Sequence, residues 1–300
     1  RTVGVQDGLS SPSVNGILPD HNGHLWFTGR GKITRYDGET FVSFSTSDTL
    51  TNNVNEPILL DRDGRLWFPG LGGLIRYDGE HFVTFTAADG LAGGLARCLW
   101  LDRSGHLWFG SDMGVTRYDG ETFQAFTTRY DQTAVGVSSI IEDLKGVLWF
   151  GLGRYPYDPG HEGDGMKGVA QYDGKTFRVL TDQESPVDHV VYSMLQDHLG
   201  NLWFGGEGRL TRYDGERSET FTIRDNLVGG PIVAMGEDRD GRLWFGSGLQ
   251  GISRFDGKKF TTFTTESGLP DNQLRSIVVD GDGYVWVGTH AGLSRYEGGH

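Results

Sequence analysis

The chain has 300 residues, of which 48 are glycine, nine are proline and 12% are aromatic, so it can bury a core, and its one cysteine, Cys98, excludes both an internal disulfide framework and a zinc site built on several thiolates. Lys plus Arg number 27 against 40 for Asp plus Glu, and the resulting formal charge of -13 repels a phosphate backbone and argues against nucleic acid as a partner. No stretch approaches the roughly 18 to 20 apolar residues of a membrane span, and no signal-like apolar segment follows Arg1.

In chain order, Thr2 to Leu9 is a strand end and a loop, and the first complete unit follows. Val14 to Pro19, His24 to Thr28, Lys32 to Tyr36 and Thr40 to Phe44 alternate apolar and polar residues at the strand period of two. Asp20-His21-Asn22-Gly23 predicts a short hairpin between the first two, because Asp bonds its own backbone and Gly accepts positive φ. Asp37-Gly38 predicts a two-residue turn between the last two. The pattern then repeats. Leu-Trp-Phe places its tryptophan at Trp26, Trp67, Trp108, Trp149, Trp203 and Trp244, and Val285-Trp286-Val287 is the seventh copy. The turn aspartate recurs at Asp61, Asp102, Asp143, Asp197, Asp238 and Asp280, and a Tyr-Asp-Gly or near copy follows every tryptophan.

Four antiparallel strands about every 41 residues predict an all-β, seven-bladed β-propeller with almost no helix and aromatics buried between blades. The expected blades are about 14–47, 54–87, 95–128, 136–181, 189–223, 231–265 and 273–297 with 1–6, all in one domain of residues 1–300. The seventh unit stops at Tyr296 after three strands, while Thr2 to Leu9 aligns with Thr262 to Leu269. The N-terminal strand is therefore expected to complete the last blade and close the ring.

Asp102 to Gly120, with Leu107-Trp108-Phe109-Gly110 and Gly114-Val115-Thr116-Arg117-Tyr118-Asp119-Gly120, resembles the two-component regulator propeller repeat almost position by position. That resemblance implies a sensor propeller of the kind found outside the cytoplasm in bacterial hybrid histidine kinases, hence a periplasmic or extracellular location. The fold hosts unrelated functions, so the site must be argued separately.

The repeats serve as their own alignment: matching positions make the fold, and differing ones at a mouth of the ring are candidates for function. The end of the inner strand away from its Asp-x-x-Gly turn is termed the top. Five residues before each turn aspartate stand Asn15, Glu56, Arg97, Ser138, Tyr192, Val233 and Arg275. The next position is small in every unit except at Pro57. A mixed polar column of this kind suits a polar small molecule, and the bland alternative is a water-filled channel in which Glu56 pairs with an arginine. The loop after the Leu-Trp-Phe strand adds Asp112, Glu207 and His290 to the top. In the fourth unit it expands by 13 residues into an aromatic, charged segment with Arg154, Tyr155 and Tyr157, expected to form a flap between the strands Val147 to Phe150 and Gly168 to Tyr172. Its Asp158, His161, Glu162 and Asp164 lack the ligand alternation of a calcium loop, so no metal or other cofactor is expected.

Streptogramin B lyases resemble the chain in repeat and blade number. Their histidine column corresponds to the variable column, where none of the seven residues here is His. No Gly-x-Ser-x-Gly, His-Glu-x-x-His or phosphate loop is present. His189, His290 and His161 could still converge at the top. Arg97, Arg275 and Tyr192 match the arginine triad and tyrosine of sialidase propellers only loosely. The expected function is non-catalytic recognition of a polar small molecule or saccharide, with Trp100, Tyr155 and Tyr157 as stacking surfaces. A protein-interaction scaffold with a protein partner is the alternative, and a lyase-like or hydrolase-like enzyme the second.

Overall fold

The computed structural model describes residues 2–20, 22–29, 32–44, 58–70, 73–94, 96–126, 129–130, 133–134, 136–153, 168–181 and 183–296. They form an all-β, seven-bladed β-propeller: seven antiparallel four-stranded sheets, with one two-stranded ribbon, Arg129–Tyr130 with Thr133–Ala134. The first sheet contains Gly16–Pro19, Leu25–Gly29, Lys32–Tyr36 and Phe41–Phe44, within two residues of the strands expected from the alternation. In the seventh, Thr2–Val3 hydrogen-bonds to Gly292–Tyr296, with Thr2 opposite Ser294 and Val3 opposite Leu293. Among the described residues the only helices are 3-10 turns of three residues, as at Ala87–Asp89. No helix among them is long and apolar enough to cross a membrane.

The chain clusters into two compact units, residues 1–58 with 221–300 and residues 59–220. Within the second, Trp108 stacks on Phe126 of its own blade at 5.6 Å, and meets Phe150 and Tyr172 of the next blade at 5.6 and 5.2 Å. Within the first, Trp244 repeats the arrangement with Phe263 at 5.9 Å and Tyr296 at 4.9 Å. Trp108 and Trp244 thus each join two blades, which fits the recurrence of the residue at the repeat period.

A buried indole N–H needs an acceptor, and the turn aspartate six residues earlier supplies it. Asp102 accepts from Trp108 Nε1 at 2.8 Å through one oxygen and from the His106 amide at 2.8 Å through the other. The same bond to tryptophan forms at Asp20, Asp61, Asp143, Asp197, Asp238 and Asp280. The aspartate is therefore both a turn residue and the partner of the core tryptophan. In the first blade the second turn spans 37–40: the Asp37 amide donates to Thr40 O at 3.3 Å, leaving Gly38 and Glu39 as the two central residues, and Asp37 Oδ1 accepts from the amides of Glu39 and Thr40 at 3.0 and 2.7 Å.

Between the second and third blades the chain makes a capped 3-10 turn, Ala87–Asp89. Thr86 accepts from the Ala88 amide, Asp89 accepts back from the Thr86 amide at 2.7 Å, and Gly90 ends the turn at φ +103°. Thr265–Ser267 with Gly268 is capped in the same way by Thr264, and Val5–Asp7 with Gly8 follows the same backbone path without the hydroxyl, in the register that the alignment of the chain ends requires.

Candidate functional site

The variable column lies at the top of the inner strands, and in four blades it is a β-bulge. Register shifts by one between Ala96 and Cys98, Val137 and Ser139, Ile232 and Ala234, and Leu274 and Ser276, leaving Arg97, Ser138, Val233 and Arg275 as the extra residues. A bulge bends the strand and re-aims its side chain, so these residues are released from the repeated ladder at one end of the blade. Packing explains the small neighbour in the column: a Cβ on Gly110 would come within 2.8 Å of Val137 Cγ1, and Cys98 is buried in the same contact, its thiol pushed up to about 12 by burial.

In the unit of residues 59–220, Arg97 is buried and forks onto Asp112, with Nε to Oδ1 at 2.8 Å and Nη2 to Oδ2 at 3.2 Å. The structure thus joins two of the expected site residues, one from the inner strand and one from the following loop, in a bidentate charged pair. Asp112 keeps 26% of its side chain exposed, so the carboxylate faces solvent while the guanidinium supports it from below. Ser138 is turned to the main chain, donating to the carbonyl of Val191. Tyr192 is buried, and its amide donates to Gly205 O at 2.7 Å. Glu207 is exposed, yet partial desolvation raises the pKa of its carboxyl. His189 is held by the Thr211 hydroxyl at 3.1 Å and the Val190 carbonyl at 2.9 Å, which makes it a packed residue of the blade. Trp100 is partly buried and packs against two core clusters, one holding Trp108 and Phe150 and the other Trp149 and Phe204.

In the other unit, Asn15 is buried and accepts from Ser13 Oγ at 2.8 Å. Arg275 is buried, with Nη2 3.4 Å from Gln273 Oε1. His290 donates its amide to Gln273 O at 3.0 Å, and its Nδ1 lies 3.7 Å from Asp271 Oδ2. Asp271 and Gln273 are functional candidates that the repeat comparison missed. The polar run Asp271-Asn272-Gln273 at the entrance to the last inner strand was the available signal. Glu56, Arg154, Tyr155 and Tyr157, like Pro57 and His161, lie outside the described residues. No group of three or more His, Cys, Asp or Glu able to hold a metal ion occurs among the described residues.

Residues 8–31, 185–208, 226–248 and 268–291 match the two-component regulator propeller, so the chain carries repeats of that family. No curated protein matches the chain. Among solved structures, it is similar to the extracellular domain of a protein assigned as a hybrid two-component system in B. thetaiotaomicron, with 19% identity and a TM-score of 0.75. That match covers 98% of this chain but 41% of the other, so the chain spans about two fifths of that domain's length. A catalytically inactive virginiamycin B lyase from Staphylococcus aureus, solved with quinupristin, is 13% identical with a TM-score of 0.74, covering 98% of this chain and 97% of that one. PorZ, a surface component of the type IX secretion system of Porphyromonas gingivalis, is 16% identical with a TM-score of 0.70, covering 97% and 47%. At these identities the likeness is one of fold.

Proposed function

We propose that the chain is the ligand-recognition propeller of a bacterial sensor, a non-catalytic module that binds a polar small molecule, and specifically a saccharide, at the top of its inner strands. The observation that carries this reading is the bulged column with its fork onto a loop carboxylate, Arg97 to Asp112. It concentrates polar groups at the one end of the blade where the repeats differ. Arginine N–H groups donate to sugar hydroxyls and carboxylates accept from them, so a preformed pair offers both without reorganisation. Asn15, Tyr192, Glu207, Arg275 and His290 are the further contacts. In this reading residues 1–300 are one domain, and Thr2–Val3, paired with Gly292–Tyr296, closes the ring. The extracellular origin of the B. thetaiotaomicron domain supports a periplasmic or extracellular location.

The test is a thermal-shift screen of the whole chain against an oligosaccharide panel, since a ligand at 100 times its Kd adds about 2.7 kcal/mol of stability. A stabilising sugar whose affinity falls with Arg97→Ala supports the reading. No shift with any sugar, or an affinity that Arg97→Ala leaves unmoved, overturns the saccharide assignment.

A lyase-like enzyme is the second reading, favoured by the near-complete coverage of the S. aureus lyase. The column speaks against it, because none of its seven residues, Asn15, Glu56, Arg97, Ser138, Tyr192, Val233 and Arg275, is the histidine that the lyase column carries. Incubation with quinupristin followed by mass spectrometry separates the two readings, since turnover would establish the enzyme.

A further inference from the structure

Six blades lay an arginine over the indole of their repeated tryptophan: Arg35, Arg76, Arg117, Arg212, Arg254 and Arg295, with guanidinium carbons 5.6 to 6.0 Å from the ring centroids. The arginine sits opposite the tryptophan on the neighbouring strand, as Arg254 does opposite Trp244. The fourth blade breaks this column. Gln171 stands opposite Trp149. Leu180 holds the place where Phe126 and Phe263 stack on Trp108 and Trp244. Arg178, across from Gln171, directs its guanidinium to Glu184 at 2.8 Å, and among the described residues no cation lies over Trp149.

Where Gln171 replaces the arginine, a cavity of about 410 Å³ opens over Trp149, while Leu180 stays packed in the core beside it. It is lined by Trp149, Gln171 and Tyr213, with Asp143, Asp214 and, from an exposed position, Lys145. The volume falls within the range of small-molecule sites, roughly 300 to 1,000 Å³. The sixth blade shows the same place filled: Arg254 lies over Trp244 and donates from Nη1 to the Tyr296 hydroxyl of the next blade at 2.9 Å. Tyr213 is the counterpart of Tyr296, its ring 6.3 Å from Trp149. Its own proton goes to Gly215 O at 2.7 Å, so its oxygen is oriented to accept. Counted over the lining alone, two aspartates against one lysine leave a formal charge of -1, and Arg212 and Arg217 also act on Asp214.

We propose that this cavity between the fourth and fifth blades binds a small guanidinium compound, stacked on Trp149 where the other six blades place their own arginine. The planar, weakly hydrated guanidinium suits an aromatic face and a hydroxyl acceptor better than a compact ammonium does. The assignment is independent of the top face and of what binds there.

Calorimetric titration of the whole chain with butylguanidine and butylamine tests it. Butylguanidine should bind saturably and butylamine should bind about fivefold more weakly or worse. Gln171→Arg restores the residue of the other blades and tethers a guanidinium in the cavity, so it should weaken butylguanidine by about tenfold or more and raise Tm. Lys145→Ala, a surface change that the fold tolerates, should tighten binding by removing a like charge. Absence of saturable binding to the unaltered chain, butylamine binding equally well, an affinity indifferent to Gln171→Arg, or weakening by Lys145→Ala would each overturn the proposal.

Discussion

The two ends of an inner strand are built by opposite rules, and the third blade shows both. At the bottom, the Asp102 carboxylate accepts from the His106 amide and the Trp108 indole, both within the blade. Its six counterparts each bond the tryptophan of their own blade in the same way. At the top, the ladder loses register at Arg97, and that side chain forks onto a loop residue for which the other blades offer no common equivalent. A bond repeated in every blade maintains the blade. A bulge whose side chain changes from blade to blade carries no bond common to the blades, which is why the proposed site is placed there.

The largest expected effect tests the bottom. Trp108 is 1% exposed and contacts two blades, so Trp108→Ala should cost about 3 to 5 kcal/mol in urea unfolding. A loss under about 1 kcal/mol would show that the aromatic column is not what joins the blades. Next comes its partner. Asp102→Ala leaves a buried indole N–H and a turn amide without acceptors and should cost about 2 to 3 kcal/mol. Asp102→Asn retains one acceptor oxygen but turns an NH2 toward the indole, and should fall between the alanine variant and the parent. Equal stability of all three would remove the indole bond from the account.

The top should respond more weakly. Arg97→Ala and Asp112→Ala should each lose about 1 to 2 kcal/mol, and the double variant little more than either alone, because a bidentate pair couples its partners. Additive losses in a double-mutant cycle would mean that the two act separately, and the proposed site would lose its central pair.

The blades themselves were legible because one tryptophan, one turn aspartate and one Tyr-Asp-Gly recur at a fixed period, and a repeat is a property of the sequence. The Asp102 to Trp108 bond was equally present there as a constant spacing of six residues, but a turn explanation for the aspartate was sufficient and concealed its second role. The bulge at Arg97 could not be read, since it depends on a count between two strands that only pairing reveals. Pairing of Arg97 with Asp112 was hidden for the same reason, although both residues were expected at the top. The opening over Trp149 was visible as Gln171 in a column that is arginine in the other six blades. It matters because the short side chain of Gln171, in a column otherwise filled by arginine, leaves Trp149 open to a cavity.

The smallest expected effect belongs to the other bottom turn. The amides of Thr122 and then Glu121, followed by the Thr122 hydroxyl, hold the Asp119 carboxyl at about 2, below the ordinary 3.8. The Thr40 and Glu39 amides and the Thr40 hydroxyl hold Asp37 at about 2 in the same way. A depressed folded-state pKa means that the anion is preferred by the folded chain. Its contribution is therefore complete above about pH 4, where the unfolded carboxyl is also ionised, and is lost as pH falls toward 2. Asp78, Asp173, Asp214 and Asp256 are lowered by the corresponding amides, so the chain as a whole should lose Tm across this window. Asp119→Asn removes one titrating group, leaves the acceptor oxygen for the turn amides, and should make Tm fall less steeply between pH 4 and 2 while changing it little at pH 7. The turn is exposed, so the difference is small, and scanning Tm in steps of half a pH unit for parent and variant should resolve it. Parallel curves through that window would show that these turn carboxylates hold the hairpin by geometry alone and not by charge, and would leave the indole-bonded aspartates as the only ones at this end of the blade that stability depends on.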